Sequence, residues 1–493
     1  MVTLDQASAP LVLALDMGSS STRALLYDSR ARLVDGVGAQ EGYALQTDKD
    51  GASEDQPAEA LARLGRCVDA LLQQIGPDAA RIGAVATATL ASTLIGLDAA
   101  GRPLTPLLTY ADTRNDADAL ALRRRLDERA VHQRTGSLLR TSYWPARLAW
   151  LRRARPEVWR SVARWVTLGE WVELNLFGRC RASYSAAAWT GLLDWRRLAW
   201  DAPLLETLGV APEQLSPLVD VDEALTGLAA PFAQRWPALS GAPWLPAVGD
   251  GAAANIGSGC VGAGRVALTV GTTGALRVAI PDPPEVPEGL WLYRVDRRTA
   301  LLGGATSEGG NLFAWARRTL RLGAPPELEQ QLAALPPDGH GLTILPFIAG
   351  ERSPGWAGNV KASIHGVTLD TSPAEITRAA LEAVAYRFAL IAARMPIPPE
   401  ALLVASGGAL RASEVWSQIV ADALGRELEV STEPEATCRG VVLLALRTLG
   451  VIPALDALPS APGPRYTPDP ARHAVYQGAI ARQQQLYERI INI

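Results

Sequence analysis

The sequence predicts an α/β protein made of two related halves, and three observations carry that expectation. The chain has 493 residues, too many for a single core when domains run about 100–250 residues. Short apolar runs of strand type alternate with stretches whose apolar residues recur at helical spacing. A strand–turn–strand unit over 11–28 is echoed by a second near residue 264. Such an internal echo points to two halves that each open with the same hairpin. The boundary is placed near residue 257, giving domains over 11–256 and 257–493.

The elements follow in chain order. Residues 1–10 (MVTLDQASAP) read as a loose tail. Leu11 to Asp16 is a strand that turns at Gly18-Ser19-Ser20-Ser21 and resumes from Thr22 to Asp28, continuing to about Val37. Apolar spacing predicts a helix over 57–75, and Ile82 to Ala88 a buried strand. Residues 115–130 and 145–177 read as mostly helical, and 200–240, dotted with proline and glycine, as irregular. Beyond the boundary, Arg265 to Val270 and Ala275 to Ile280 are strands around Gly271-Thr272-Thr273-Gly274. Helices are expected at about 308–322, 373–394 and 413–424, with strands at 342–348 and 401–405. A proline-rich connector at 456–469 leads into a terminal helix over 470–490.

Composition excludes several classes of function. Apolar residues at 48% and charged residues at 20% give an ordinary globular balance with ample core. A formal net charge of −4 offers no broad footprint for nucleic acid, and the basic runs Arg123–Arg125 and Arg152-Arg153 read as solvated helix faces. Cys67, Cys180, Cys260 and Cys438 are far apart and form no CxxC pair, which argues against a zinc site or disulfide framework and suits a reducing compartment. No apolar stretch is long enough to span a membrane and no leader pattern opens the chain, so the cytoplasm is the simplest location. The chain has only two lysines, Lys49 and Lys361. Neither follows a glycine-rich loop, which excludes the Walker A and protein-kinase ways of gripping phosphate.

Four segments carry residue types suited to phosphate chemistry. In LALDMGSSSTRALLYD (13–28), Asp16 ends a strand and Gly18 lets the chain turn close to a ligand. The hydroxyls and backbone N–H groups of residues 19–22 suit an anion, Arg23 can neutralise phosphate charge, and Asp16 suits hydrated Mg²⁺. A plain hairpin with an Asx-type turn reads the same way. LTVGTTGALRV (268–278) has the same form. In AVGDGAAANIGSG (247–259), Asp250 stands just before an alanine-rich helix, where an exposed carboxylate serves either as a base for an alcohol or as a helix cap. Gly407-Gly408, at a strand-to-helix junction, permits close approach of a flat base or ribose. The literal GxGxxG at 257–262 follows a helix and precedes a strand, the wrong order for a dinucleotide fingerprint. His132, His340, His365 and His473 are scattered and read as structural or exposed.

Together these segments resemble the FGGY family of carbohydrate kinases over nearly the whole chain. The most specific piece is ASIHGVTLDTSPAEITRAALE (362–382), which is similar to the family's C-terminal signature at Ala362, Ile364, Gly366, Val367, Glu375-Ile376 and 379–382. The resemblance implies the two-domain actin-like ATPase fold shared by sugar kinases, Hsp70 and actin, with an interdomain cleft that closes on ATP. It also implies an enzyme that phosphorylates a hydroxyl of a small sugar acid, sugar or polyol, with ATP and Mg²⁺ as cofactors.

Carried over residue by residue, Asp16 organises Mg²⁺ through water, and Ser20, Ser21 and Arg23 line the first phosphate turn. Gly271 and Thr272 form the second turn, while Gly310, Gly408 and Ser413 lie near the nucleoside. Asp250 is the expected catalytic base. Tyr110-Ala111-Asp112-Thr113-Arg114 looks like the segment near the sugar site, so Ala91, Ser92, Asp112, Arg114, Ser142 and Gly251 join Asp250 as expected substrate contacts.

HQRTG (132–136), residues 165–195 and PFIAGERSPGW (346–356) look closest to gluconokinases, with pentulose kinases of the xylulose or ribulose type as the alternative. Ala91-Ser92 replaces the Met-His pair common in such kinases, and Trp144 and Arg147 stand where a small residue or proline, and lysine, are the norm. The rival readings are a non-catalytic nucleotide-dependent binding protein of the same fold and an inactive sugar sensor. The expected partner is a small carbohydrate, with no nucleic acid and no membrane, and a homodimer is compatible with the sequence.

Overall fold

The computed structural model describes residues 1–491, and two mixed sheets organise them. In the first, strands Leu11–Met17 and Ser21–Tyr27 form the expected hairpin, with Asp16 opposite Arg23. Every residue of the leading strand is buried, as an almost unbroken apolar run requires of a strand covered on both faces. Leu33–Gly42 pairs antiparallel on one side of the hairpin, and Ile82–Thr89 and then Val248–Gly249 lie parallel on the other, giving five strands.

The second hairpin, Arg265–Val270 and Gly274–Ile280, is extended in the same manner. Ala300–Thr306 pairs antiparallel on its outer side, while Leu402–Ser406 and Leu428–Val430 run parallel on its inner side. Trp291–Arg294 and Arg465–Tyr466 add an edge strand at each end, for seven strands in all. The shared five strands have one order and one set of directions. The internal echo therefore extends from the hairpins to the topology of both sheets.

Two helices join the halves. Asp250–Gly257 and Ala436–Thr448 approach until their backbones touch: a Cβ on Gly257 would lie 1.7 Å from the Ala436 carbonyl oxygen, and one on Gly440 would lie 1.8 Å from that of Ala253. The second of these helices also packs on the strands Leu11–Met17 and Ile82–Thr89 of the opposite half. Its buried face, including Val441, Val442 and Leu444, shares one apolar cluster with Val12, Ala14 and Ala86. Burial of this kind stabilises at roughly 25 cal/mol per Å² of apolar surface.

The helices over Pro57–Ile75, Pro373–Ala392, Glu414–Leu424 and Pro470–Ile491 lie where apolar periodicity puts them. Several expectations are corrected. Residues 1–10 are not loose, because Val2 is buried and its N–H donates to the Leu33 carbonyl at 3.0 Å. The long strand expected to run to Val37 breaks where Asp28 accepts the N–H groups of Arg30 and Arg32, an Asx-type turn. The stretch 145–177 is interrupted by the strand Arg164–Val166, which pairs with Ile95–Leu97; a Thr167–Glu170 capping box then starts a new helix. Residues 200–240 contain the short helices Ala202–Leu208 and Ala230–Arg235. The strands Trp291–Arg294 and Ala300–Thr306 and the helices Pro325–Ala334 and Ala436–Thr448 were not anticipated. Among the described residues no helix is long and apolar enough to cross a membrane.

Candidate active site

The register of the first sheet gathers three segments at one edge. Asp16 lies beside Ala88, and Val248-Gly249 beside Ala88-Thr89. Because these three strands are parallel, their C-terminal ends point the same way, the edge where open α/β sheets bind ligands. Asp16, the Ala91-Ser92 turn and Asp250 therefore emerge together. Asp250 is not the exposed residue before the helix that the sequence led us to expect. It is the first helical residue, half-buried, and its carboxylate accepts the Gly251 N–H at 2.7 Å. Burial pushes its carboxyl up, and the Gly251 N–H and the charge of Arg277 only partly oppose that.

Asp250 lines a cavity of about 290 Å³ between the halves. Binding pockets for drug-sized ligands run from about 300 to 1,000 Å³, so this one suits a small molecule. Ala91, Ser92, Tyr110, Ser142, Trp189 and Gly251 contribute from the first half, and Arg277, Trp291, Tyr293 and Arg352 from the second. Trp189 and Tyr293 stack with centroids 3.7 Å apart, and Trp291 stacks on Tyr293 at 4.5 Å, so one wall is a continuous aromatic face.

Ala91, Ser92, Ser142 and Gly251 are thus brought together with Asp250. Behind them, buried Arg147 donates to the Ser92 hydroxyl and to the Ser142 carbonyl, each at 2.6 Å. Burial pushes that guanidinium down to about 9, against the opposing charge of Asp112. Asp112 and Arg114 do not line this cavity. The Asp112 carboxylate is consumed by Arg114 and by the Ser53 N–H, and Arg114 also pairs with Glu54 and lies over the Trp150 ring.

Next to the cavity lies an unbalanced cluster of acids. Asp16 is buried, its Oδ1 has no partner, and its Oδ2 stands 3.8 Å from Arg23. Arg23 instead donates to Glu435 at 2.8 Å. Burial first, and then the charge of Asp250, push the Asp16 carboxyl up to about 7. An orphaned carboxylate oxygen among acids is a donor set that suits a hydrated divalent cation.

Around the two turns, Ser20 is exposed while Ser21 is buried, and Gly271 and Thr272 form the tip of the second hairpin. The Gly310 N–H donates to the Gly271 carbonyl at 2.7 Å. A Cβ on Gly407 would lie 2.3 Å from the Val270 carbonyl oxygen, whereas one on Gly271 or Gly408 would meet nothing within 4 Å. Gly271, Gly310 and Gly408 therefore form one backbone cradle with an open side. Ser413 is spent elsewhere: its hydroxyl caps the helix Glu414–Leu424 at the Trp416 N–H and donates to Glu329 at 3.0 Å.

Models of the N-terminal and C-terminal domains of the FGGY family of carbohydrate kinases match residues 11–257 and 266–449. The chain belongs to that family. It is 28% identical to a gluconokinase of Bacillus subtilis (strain 168) over 98% of this chain and 95% of the relative. A crystal structure of gluconate kinase from Lactobacillus acidophilus superposes with a TM-score of 0.91 at 25% identity, covering 97% of this chain and 98% of that one. The ligand-bound xylulose kinase from Lactobacillus acidophilus reaches a TM-score of 0.92 at 24% identity over 98% of each chain. The two-sheet architecture is accordingly the two-domain actin-like ATPase fold. As an FGGY kinase the protein is a phosphotransferase, with ATP as donor and a small carbohydrate as acceptor.

Within this FGGY kinase, several cavity residues left little sign in the sequence. Trp189, Trp291, Tyr293, Arg277 and Arg352 come from segments far apart, and Glu435 precedes a helix that was not foreseen. Trp189, Arg277 and Arg352 left a trace, inside residues 165–195 and the LTVGTTGALRV and PFIAGERSPGW segments. None of the histidines lines the cavity; His132 bonds the Leu290 carbonyl and His340 bonds Glu382.

Proposed function

We propose that the FGGY kinase phosphorylates a hydroxyl of a small sugar acid, sugar or polyol, with gluconate the first acceptor to test. The observation that carries this reading is Asp250, half-buried in a small cavity and beside the unbalanced Asp16. Asp250 accepts the acceptor's hydroxyl proton as that oxygen attacks the γ-phosphorus of ATP and the bond to ADP breaks. General-base catalysis of this kind contributes roughly 10²–10⁴-fold. The carboxyl's raised proton affinity suits a base that must hold the proton during transfer.

Ala91, Ser92, Ser142 and Gly251 border the acceptor, and the aromatic wall excludes water that would otherwise hydrolyse ATP. Ser20, Ser21 and Arg23 on the first turn and Gly271, Thr272, Gly310 and Gly408 on the cradle face the nucleotide's phosphates and nucleoside. Asp16, with its free Oδ1, would hold Mg²⁺ through water, and the ion would supply charge neutralisation at the phosphates. In this reading residues 11–256 are the sugar side and 257–493, the last two outside the described residues, the nucleotide side. The cytoplasm, where ATP and reduced thiols coexist, is the proposed location. A pentulose acceptor is the second reading, favoured by the likeness to a xylulose kinase fold.

The test is Asp250→Asn. Turnover with gluconate should fall by at least ~10²-fold while ATP binding persists. Near-normal turnover would remove Asp250 from the role of base.

A further inference from the structure

The cavity holds two guanidinium groups and a single carboxylate. Arg277, on the strand Gly274–Ile280, has one hydrogen bond, from Nη2 to the Thr269 hydroxyl at 2.8 Å, and its Nε is buried without a partner. Among the described residues no carboxylate forms an ion pair with it. Burial pushes the guanidinium down, and the charge of Asp250 offsets that only in part. A half-buried cation whose Nε is shut away without a partner and which is satisfied by one neutral hydroxyl is costly, and the cost is relieved when an anion arrives. Gly251 keeps the approach clear, since a Cβ there would lie 3.1 Å from Arg277 Nη1 and 3.0 Å from Trp189.

Arg352 adds to the surplus. Among the described residues its guanidinium has neither an ion pair nor a hydrogen bond, yet its loop is firmly held. The neighbouring Glu351 is buried, pairs with Arg387, accepts the Tyr487 hydroxyl at 2.6 Å and accepts the Gly355 and Ala357 N–H groups. Trp356 donates its Nε1–H to the Gly289 carbonyl at 2.8 Å. Positive charge in the cavity is thus built in, while a neutral sugar offers it only hydroxyls.

We propose that the acceptor carries a carboxylate and that Arg277 reads it. The inference rests on the kinase reading above and narrows its acceptor class to polyhydroxy acids, leaving neutral sugars and polyols as poor ligands. A guanidinium grips a carboxylate through two parallel N–H bonds. An anion on Arg277 has one other source, a phosphate of ATP, and the experiment separates the two.

The full-length, nucleotide-free protein is titrated with gluconate and with glucitol, which has a hydroxymethyl group in place of the carboxylate. Gluconate should bind roughly 10- to 100-fold more tightly, the range of one charged hydrogen-bonded contact. Arg277→Gln should bring the two ligands to within about threefold, Arg277→Lys should retain part of the preference, and ATP affinity should be unchanged in both. Equal binding of gluconate and glucitol by the wild type overturns the inference without any variant. So does an Arg277→Gln variant that loses ATP affinity while keeping its preference for gluconate, because the phosphate would then be the partner. If Asp250→Asn is inactive but glucitol binds as well as gluconate, only the carboxylate inference falls. If Asp250→Asn stays active, the assigned base falls while the binding preference stands.

Discussion

Arg23, on the first hairpin, donates a 2.8 Å hydrogen bond to Glu435, which enters the cleft from the opposite half. The same guanidinium stands 3.8 Å from Asp16. One arginine thus connects the first hairpin of one half to the head of the helix that joins the halves.

This pairing implies competition. Glu435 occupies the cation that nucleotide phosphates would use, and a partly exposed ion pair is worth about 0.5–1 kcal/mol. Glu435→Gln should therefore lower the KM for ATP about two- to fivefold, and Arg23→Ala should raise it. Placed on the Arg23→Ala background, Glu435→Gln should have almost no further effect. An undiminished effect in the double variant would show that Glu435 acts by another route.

Asp16 should set the metal requirement. Chelation by EDTA should abolish ADP release, and Asp16→Asn should raise the Mg²⁺ concentration for half-maximal activity by roughly tenfold or more. Titration of activity against free Mg²⁺ checks this. An unchanged midpoint in Asp16→Asn would sever Asp16 from the ion.

The helix junction depends on a missing side chain. A Cβ on Gly440 would sit 1.8 Å from the Ala253 carbonyl oxygen, so Gly440→Ala must push the two helices apart. Overpacking of this kind costs about 1–3 kcal/mol, and the melting temperature should fall by several degrees. Gly478→Ala, on the exposed face of the terminal helix where a Cβ meets nothing, should instead stabilise by roughly 0.5–1 kcal/mol. Equal melting temperatures for the two variants would contradict the close approach.

Glu308 should make stability depend on pH. Burial pushes its carboxyl from the ordinary 4.5 up to about 7. The folded protein then holds this proton more tightly than the unfolded chain does, so its contribution to stability is lost as pH rises from about 4.5 to 7. A rise in proton affinity of that size corresponds to a loss on the order of 3 kcal/mol. Glu308→Gln should match the wild type near pH 4 and exceed its stability by that amount near pH 8. Urea denaturation at both pH values tests this, and a gap that does not change with pH would refute it.

Much of the scaffold was legible because its signals are local. The helix Pro57–Ile75 declares itself by apolar spacing, and each hairpin by a Gly/Ser or Gly/Thr turn between apolar runs. The helix Ala436–Thr448 did not, because almost all of its middle is buried, which removes the polar face that periodicity needs. The mutual pairing of Asp112 and Arg114 was not legible for a related reason. A carboxylate and a guanidinium two residues apart look equally ready for a ligand or for each other, and here they chose each other.

The chain itself determined the two hairpins, Asp16 near the end of the first strand and the kinase family, since these depend on neighbours within a few residues and on recurring motifs. Tertiary structure alone decided which residues face one another across the cleft. Parallel register carried Asp16 and Asp250 to one sheet edge, and the meeting of the halves set Arg277, Arg352 and the aromatic wall around one cavity. Contacts between segments hundreds of residues apart leave no periodicity or spacing behind, because they arise from how the sheets and helices pack rather than from any one stretch of chain.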